Sequence, residues 1–177
     1  MFAVTMLMAV ITLMEERAMN ELLKGLSSSD PERRASAAEQ LSHLGEEAQP
    51  AALSLVRCAA DEAETVREFA VSALEGMGAP AASDVPRLIE CLDSGESDIV
   101  YWSATLLGRL ESEAAVAVDP LALVLAKPAP PAACERAAWA LGRIGLLTPK
   151  ATAALRGATT SENPRLARLA TQALSAR

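Results

Sequence analysis

The stretch ERAAWALGRIG, residues 135–145, reads as one amphipathic helix closed by a glycine. Ala137, Leu141 and Ile144 fall on one face at spacings of four and three, while Trp139 lies on another. The same pattern recurs along the chain. About 34 residues upstream stands YWSATLLGRL (101–110), then VREFAVSALEGMG (66–78), then RRASAAEQLSHLG (33–45). Downstream, PRLARLATQALSAR (164–177) falls into the same register. A self-similar period of 33 to 34 residues is the mark of stacked helical repeats. The expected fold is an all-α, right-handed α-solenoid of about five helix–turn–helix repeats.

Each unit pairs that helix with a shorter one before it. Asp30 and Pro31 read as N-cap and first helical residue, and Gly45 as a stop. Pro50 opens the next pair, with a turn at residues 61–64. Later pairs open at residues 84–86, 119–120 and 148–149, with turns at 93–95, 127–131 and 161–164. The expected repeats are 20–47, 48–80, 81–114, 115–147 and 148–177, within one solenoid spanning 1–177. No run alternates with period two, so no strands are expected.

Residues 2–14, FAVTMLMAVITLM, are apolar except for Thr5 and Thr12. The run is too short for a stable membrane span and lacks the basic flank of a signal peptide. It reads as part of an N-terminal helix, residues 1–19, capping the end of the stack. The rival readings are an exposed strip that drives self-association or membrane contact, and a start of translation at Met14 or Met19.

Composition narrows the function. The chain of 177 residues is 51% hydrophobic and 3% aromatic, so its core is built from Ala, Leu, Val and Met. The net charge of −7 makes nucleic acid an unlikely partner, because phosphate binding needs clustered Lys and Arg. Charge is uneven: residues 128–177 carry seven basic side chains against Glu135 and Glu162, leaving −12 on the rest. An acidic body with a basic end could orient a partner, or be a solvated surface only. Cys58, Cys91 and Cys134 are odd in number and form no CxxC motif, which points to a reducing cytoplasm. The lone His43 has no ligand cluster around it, so neither metal nor cofactor is expected.

The second helices resemble V-R-x-x-A-x-x-A-L-x-x-[LMI]-G. The carriers are Arg34, Ala37, Leu41, Leu44 and Gly45; Val66, Arg67, Ala70, Leu74, Met77 and Gly78; and Val100, Leu107 and Leu110. They continue with Ala137, Leu141, Ile144 and Gly145, and end with Leu166, Ala170 and Leu174. This pattern resembles the HEAT repeats, especially the short bacterial kind of phycobilin lyase subunits and small scaffold proteins. The family's repeated Arg survives as Arg34 and Arg67; Val100, Cys134 and Ala167 replace it.

The resemblance implies that second helices line a concave, partner-binding wall. At roughly 100° per residue, Tyr101, Thr105 and Gly108 share a face opposite the core, as do Glu135, Trp139 and Gly142. Phe69, Trp102, Arg109, Arg136 and Arg143 lie on the flank. Gly108 and Gly142 leave room beside Tyr101 and Trp139, and they also suit close helix packing. Trp, Tyr and Arg are the commonest binding anchors. Tyr101, Trp102, Arg109, Arg136, Trp139 and Arg143 are therefore the expected site for a protein or peptide bearing acidic or aromatic groups. Phe69 and Trp102 have a competing reading as packing residues between repeats, whereas Trp139 is expected to be exposed.

The resemblance also carries alternatives. A phycobilin lyase-like chromophore clamp would use the Arg cluster for tetrapyrrole propionates. HEAT-like alkylpurine DNA glycosylases use concave Trp, Asp and Arg residues, to which Trp102, Trp139 and Arg143 are similar, with Glu135 the nearby acid. The His-Glu pairs of the di-iron deoxyhypusine hydroxylases are absent. The preferred reading is a non-enzymatic interaction scaffold.

Overall fold

The computed structural model describes residues 2–127 and 129–175, with the side chains of 2–7, 9 and 10 left aside. Among the described residues there are ten α-helices and no strand. The all-α expectation holds, and the helices pair as successive hairpins. The chain divides into two compact units, Met1–Met77 and Gly78–Arg177.

The first unit holds α1 (Phe2–Leu26), α2 (Pro31–Ser42), α3 (Ala52–Cys58) and α4 (Glu64–Gly76), with α2 packed on α4. Asp30 caps α2 as the sequence suggests: its side chain accepts the Glu32 N–H, and Pro31 takes the first helical position. The second unit holds α5 (Val85–Cys91), α6 (Ser97–Arg109), α7 (Val118–Ala126), α8 (Pro131–Ile144), α9 (Pro149–Ala158) and α10 (Pro164–Ser175). There α6 packs on α8, and α8 on α10. In α8 the buried set Ala133, Ala137, Ala140, Leu141 and Ile144 repeats at helical spacing, and Gly145 ends the helix at φ +75°. Short residues dominate these faces, so helix axes approach closely.

Two connections differ from the expected hairpins. Pro50 lies inside a 3-10 segment, Gly45–Ala51, instead of opening the helix; α3 starts two residues later. A similar segment, Glu111–Ala117, precedes α7. Both begin at a left-handed residue, Gly45 and Glu111, so the chain reverses tightly before helical geometry resumes.

The capping expectation for residues 1–19 meets the structure only over its described side chains. α1 is continuous, but residues 11–18 are exposed, Leu13 and Met14 among them. Burial begins at Met19 and is complete only at Leu26. Length explains this. At 1.5 Å per residue α1 runs about 37 Å, whereas α2 beside it covers about 18 Å. The share of the expectation that rests on the side chains of residues 1–7, 9 and 10 lies outside those described. Among the described residues no helix is long and apolar enough to cross a membrane.

The turns repeat as faithfully as the helices. Ser28 Oγ accepts the Asp30 N–H, Asp61 Oδ1 the Ala63 N–H, Ser94 Oγ the Glu96 N–H and Ser161 Oγ the Asn163 N–H. Such side-chain turns supply an acceptor to backbone that helices cannot satisfy. On the first two turns an Arg from the helix behind reaches back. Arg34 Nη1 donates to the Ser28 and Ser29 carbonyls at 3.0 and 3.2 Å. Arg67 Nη1 donates to Asp61 and Glu62 carbonyls at 2.7 and 2.9 Å. Arg34 also forks onto Asp61 of the following hairpin through Nε and Nη2, at 2.7 and 2.8 Å. Those hydrogen bonds hold the Asp61 carboxyl below the usual carboxylate range. The family's Arg thus joins consecutive turns.

Candidate functional site

α6 and α8 bring Tyr101, Arg136 and Trp139 together with Trp102 against Tyr101, and set Arg109 and Arg143 against other partners. The helices cross at Gly108, where a Cβ would lie 2.4 and 2.9 Å from Trp139 ring atoms and 3.0 Å from the Ala140 Cα. Only glycine lets the indole settle there. Trp139 is therefore half-buried, its ring seated on the previous hairpin, and not the freely exposed residue its helical position suggests. The helical wheel cannot see a gap in the neighbouring helix.

Arg136 lies between two aromatic faces. Its guanidinium carbon is 4.8 Å from the Tyr101 ring centroid and 5.5 Å from that of Trp139. One Nη2–H donates to the Tyr101 hydroxyl at 2.6 Å. Tyr101 is held in turn by Trp102, edge-on at 5.3 Å between centroids. Each cation–π contact contributes about 0.5–1 kcal/mol at a partly exposed site. The stack therefore fixes the guanidinium plane while leaving some of its five N–H donors unspent on Tyr101.

Trp102 itself is only 6% exposed. It supports Tyr101 from below and offers no surface to a partner, which removes it from the expected contact set. Its flank position turns inward because α6 is buried along nearly its whole length. Arg109 also leaves the set as a presenting residue: its Nη1 donates to the Gly78 carbonyl at 2.9 Å. Arg143 is exposed and ion-paired with Glu111. Phe69, on α4, is half-buried.

Glu111 was not singled out by sequence and carries a signal that could have found it. Gly45, Gly78 and Gly145 have φ of +57°, +75° and +75°; Glu111, which holds the same place one repeat on, has φ +50°. A non-glycine side chain in this region costs about 1–2 kcal/mol. The unusual residue supplies the carboxylate that meets Arg143.

The acid beside this face is committed elsewhere. Glu135 accepts from Asn163 Nδ2 at 2.8 Å and pairs with Arg165 at 3.1 Å. Of the Trp–Trp–Arg–Glu set similar to glycosylases, Trp102 is buried, and Arg143 and Glu135 are paired with Glu111 and Arg165. Among the described residues no three His, Cys, Asp or Glu come together to hold a metal ion. His43 is exposed at the end of α2. Cys58 and Cys134 are buried free thiols; burial pushes Cys58 up to about 11 and raises Cys134. Neither is a ready thiolate.

A family model described as HEAT repeats matches residues 19–106 and again 85–175. No curated protein matches the sequence. Solved structures resemble the fold. A designed armadillo repeat protein in complex with the peptide (KR)4 is 18% identical, with a TM-score of 0.61 over 94% of this chain and 84% of its own. A computationally designed armadillo repeat protein for modular peptide recognition is 18% identical, with a TM-score of 0.59 over 88% and 80%. An engineered protein reaches 21% identity and a TM-score of 0.59 over 89% and 78%. At these identities the likeness concerns the fold alone. The helical hairpins, their repeating turns and the two matches of the family model identify the chain as a member of the HEAT-repeat family.

Proposed function

We propose that this protein is a non-enzymatic interaction module that binds a protein or peptide on the surface formed by α6 and α8. The supporting observation is the Arg136 guanidinium, stacked between Tyr101 and Trp139 with donors to spare. A carboxylate on the partner would meet Arg136 by charge-assisted hydrogen bonds, and an apolar or aromatic neighbour would cover Trp139. Arg143 stands at the rim, where pairing with Glu111 tunes its charge. Trp102 and Arg109 act as supports. Two structural neighbours are a designed armadillo repeat protein in complex with the peptide (KR)4 and one designed for modular peptide recognition, which agrees with a binding role for this fold. The cysteine pattern and the absence of CxxC fit a reducing cytoplasm.

The test compares wild type with Trp139→Ala and Arg143→Glu in pull-downs from lysate of the source organism, read by mass spectrometry. A partner retained by wild type and lost from both variants, with helical content unchanged, supports the site. Equal recovery by all three folded proteins would refute it.

A further inference from the structure

The surface of α6 and α8 continues onto α10. Glu135, early in α8, pairs with Arg165 at the start of α10, and Gly142, late in α8, lies where a Cβ would meet the Cα of Ala173, late in α10, at 3.2 Å. The two helices therefore run parallel and side by side. One hairpin earlier, a Cβ on Gly108 would meet the Ala140 Cα at 3.0 Å in the same way, so Ala140 and Ala173 are equivalent residues. By that register Arg168 holds in α10 the place of Glu135 in α8 and of Tyr101 in α6. Trp139 lies between the contacts at Glu135 and Gly142, and Arg168 between those at Arg165 and Ala173. Both occupy the middle of the shared face.

Charge on this face is unevenly spent. Arg165 is paired with Glu135, and Arg143 with Glu111. Arg136 donates to the neutral Tyr101 hydroxyl, which leaves its charge uncompensated. Arg168 is exposed and, among the described residues, makes no hydrogen bond or ion pair. Glu162, the one acid between residues 145 and 177, lies on the turn before α10. Two uncompensated cations thus mark the face, Arg136 on α8 and Arg168 on α10.

We propose that the partner presents an extended acidic segment that crosses from α8 to α10, with one carboxylate on Arg136 and a second, two residues along, on Arg168. This assignment rests on the α6–α8 reading and adds to it a third helix, a further binding residue and a spacing. Packed helices lie about 8–10 Å apart, axis to axis. Side chains two apart in an extended chain point the same way and are about 7 Å apart, a difference that the long Arg stems absorb. Carboxylates on adjacent residues point to opposite sides, so only one of them would face the wall. Each guanidinium offers a carboxylate a pair of parallel donors. A basic segment would instead meet two like charges, which repel it.

The experiment is an NMR titration of the full ¹⁵N-labelled chain at low ionic strength, where exposed ion pairs are strongest. It is read at the Nε–H signals of Arg136 and Arg168. The probes are the acetylated, amidated tripeptides Glu-Ala-Glu, Glu-Ala-Gln and Glu-Glu-Ala. Glu-Ala-Glu should shift both signals saturably and bind about threefold more tightly than Glu-Ala-Gln, the factor one exposed ion pair supplies. It should also bind more tightly than Glu-Glu-Ala, which carries the same charge at the wrong spacing. In Arg168→Gln, an exposed change that leaves the fold intact, the advantage of Glu-Ala-Glu over Glu-Ala-Gln should vanish. Lys150→Gln removes the same charge from α9 and should preserve that advantage. Shifts at Arg136 with the full advantage retained in Arg168→Gln would overturn the two-carboxylate assignment and leave the α6–α8 site standing. Equal binding of Glu-Ala-Glu and Glu-Glu-Ala would overturn the spacing. No shift at Arg136 with any peptide would overturn both this proposal and the reading on which it rests.

Discussion

Gly108→Ala isolates the contact on which the α6–α8 surface depends. The new Cβ would stand 2.4 Å from Cζ3 and 2.9 Å from Cε3 of Trp139, and 3.0 Å from the Ala140 Cα. Ordinary carbon contacts lie near 3.5–4.0 Å, so the indole must retreat by roughly 1 Å or leave its seat. Overpacking of this kind costs about 1–3 kcal/mol. Against it stands the helix preference of Ala over Gly, about 0.8–1 kcal/mol at an interior position. The balance is a loss of about 0–2 kcal/mol, which for a chain of this size lowers Tm by up to roughly 8 °C. The displaced ring also leaves Arg136, so its emission should move to the red and become easier to quench with acrylamide. Trp102, buried and on the far side of Tyr101, supplies a constant background. The double-mutant cycle with Trp139→Ala completes the test. Once the ring is gone, Gly108→Ala should be nearly neutral, giving a coupling of about 1 kcal/mol or more. A rise in Tm for Gly108→Ala alone, with unchanged Trp emission, would show that the ring does not rest on this glycine.

Further predictions rest on single features. Glu111→Gly relieves a left-handed residue worth about 1 kcal/mol and loses an exposed ion pair worth about 0–1 kcal/mol. Its gain should therefore be clearest near 1 M salt, where the pair is screened, and destabilisation measured there by urea melts would contradict backbone strain at 111. Asp61→Asn keeps the turn acceptor but breaks the fork to Arg34, whose pair is mostly buried (side-chain exposures 17% and 11%), and should cost about 1.5–3 kcal/mol. Because Arg34 holds the Asp61 carboxyl low in the fold, its stabilisation is present above an unfolded value of about 3.9 and is lost as pH falls through the lower folded value. Wild type should accordingly lose its advantage over Asp61→Asn in melts between neutral pH and strong acid; a gap constant with pH would count against the pair. Deleting residues 1–13 should leave Tm unchanged, since residues 11–18 are exposed and α2 ends well short of them; a fall of more than about 4 °C, roughly 1 kcal/mol, would reveal packing by this segment.

The helices were legible because their punctuation is local. Asp30-Pro31, Thr148-Pro149 and the recurrent glycines act within a few residues, and the period multiplies each signal. Pro50 misled because proline marks a first turn without saying whether it is α or 3-10. The site was legible in composition and not in geometry. Tyr101, Arg136 and Trp139 stood on the right helices, but their stacking depends on the α6–α8 crossing, which no spacing within one helix encodes. Trp139 is half-buried and not fully exposed for the same reason: burial is decided by the neighbour, here the bare backbone at Gly108, while Trp102 follows its packing reading. Glu111 was visible in principle, since it interrupts a series of glycines one repeat apart.

The side-chain links between hairpins have a kinetic consequence. Arg34–Asp61, Tyr101–Arg136, Glu111–Arg143, Asp119–Thr148 and Glu135–Asn163 are separated by 27, 35, 32, 29 and 28 residues. None requires a segment from the far end of the chain. Short loops close at low entropic cost, and topologies of this kind belong to the faster folders. At a synthesis rate of about 5–20 residues per second, each of these links gains its second partner within roughly 1–7 s of the first one's emergence. The polypeptide can therefore acquire its native order vectorially on the ribosome, each completed hairpin serving as template for the one that follows.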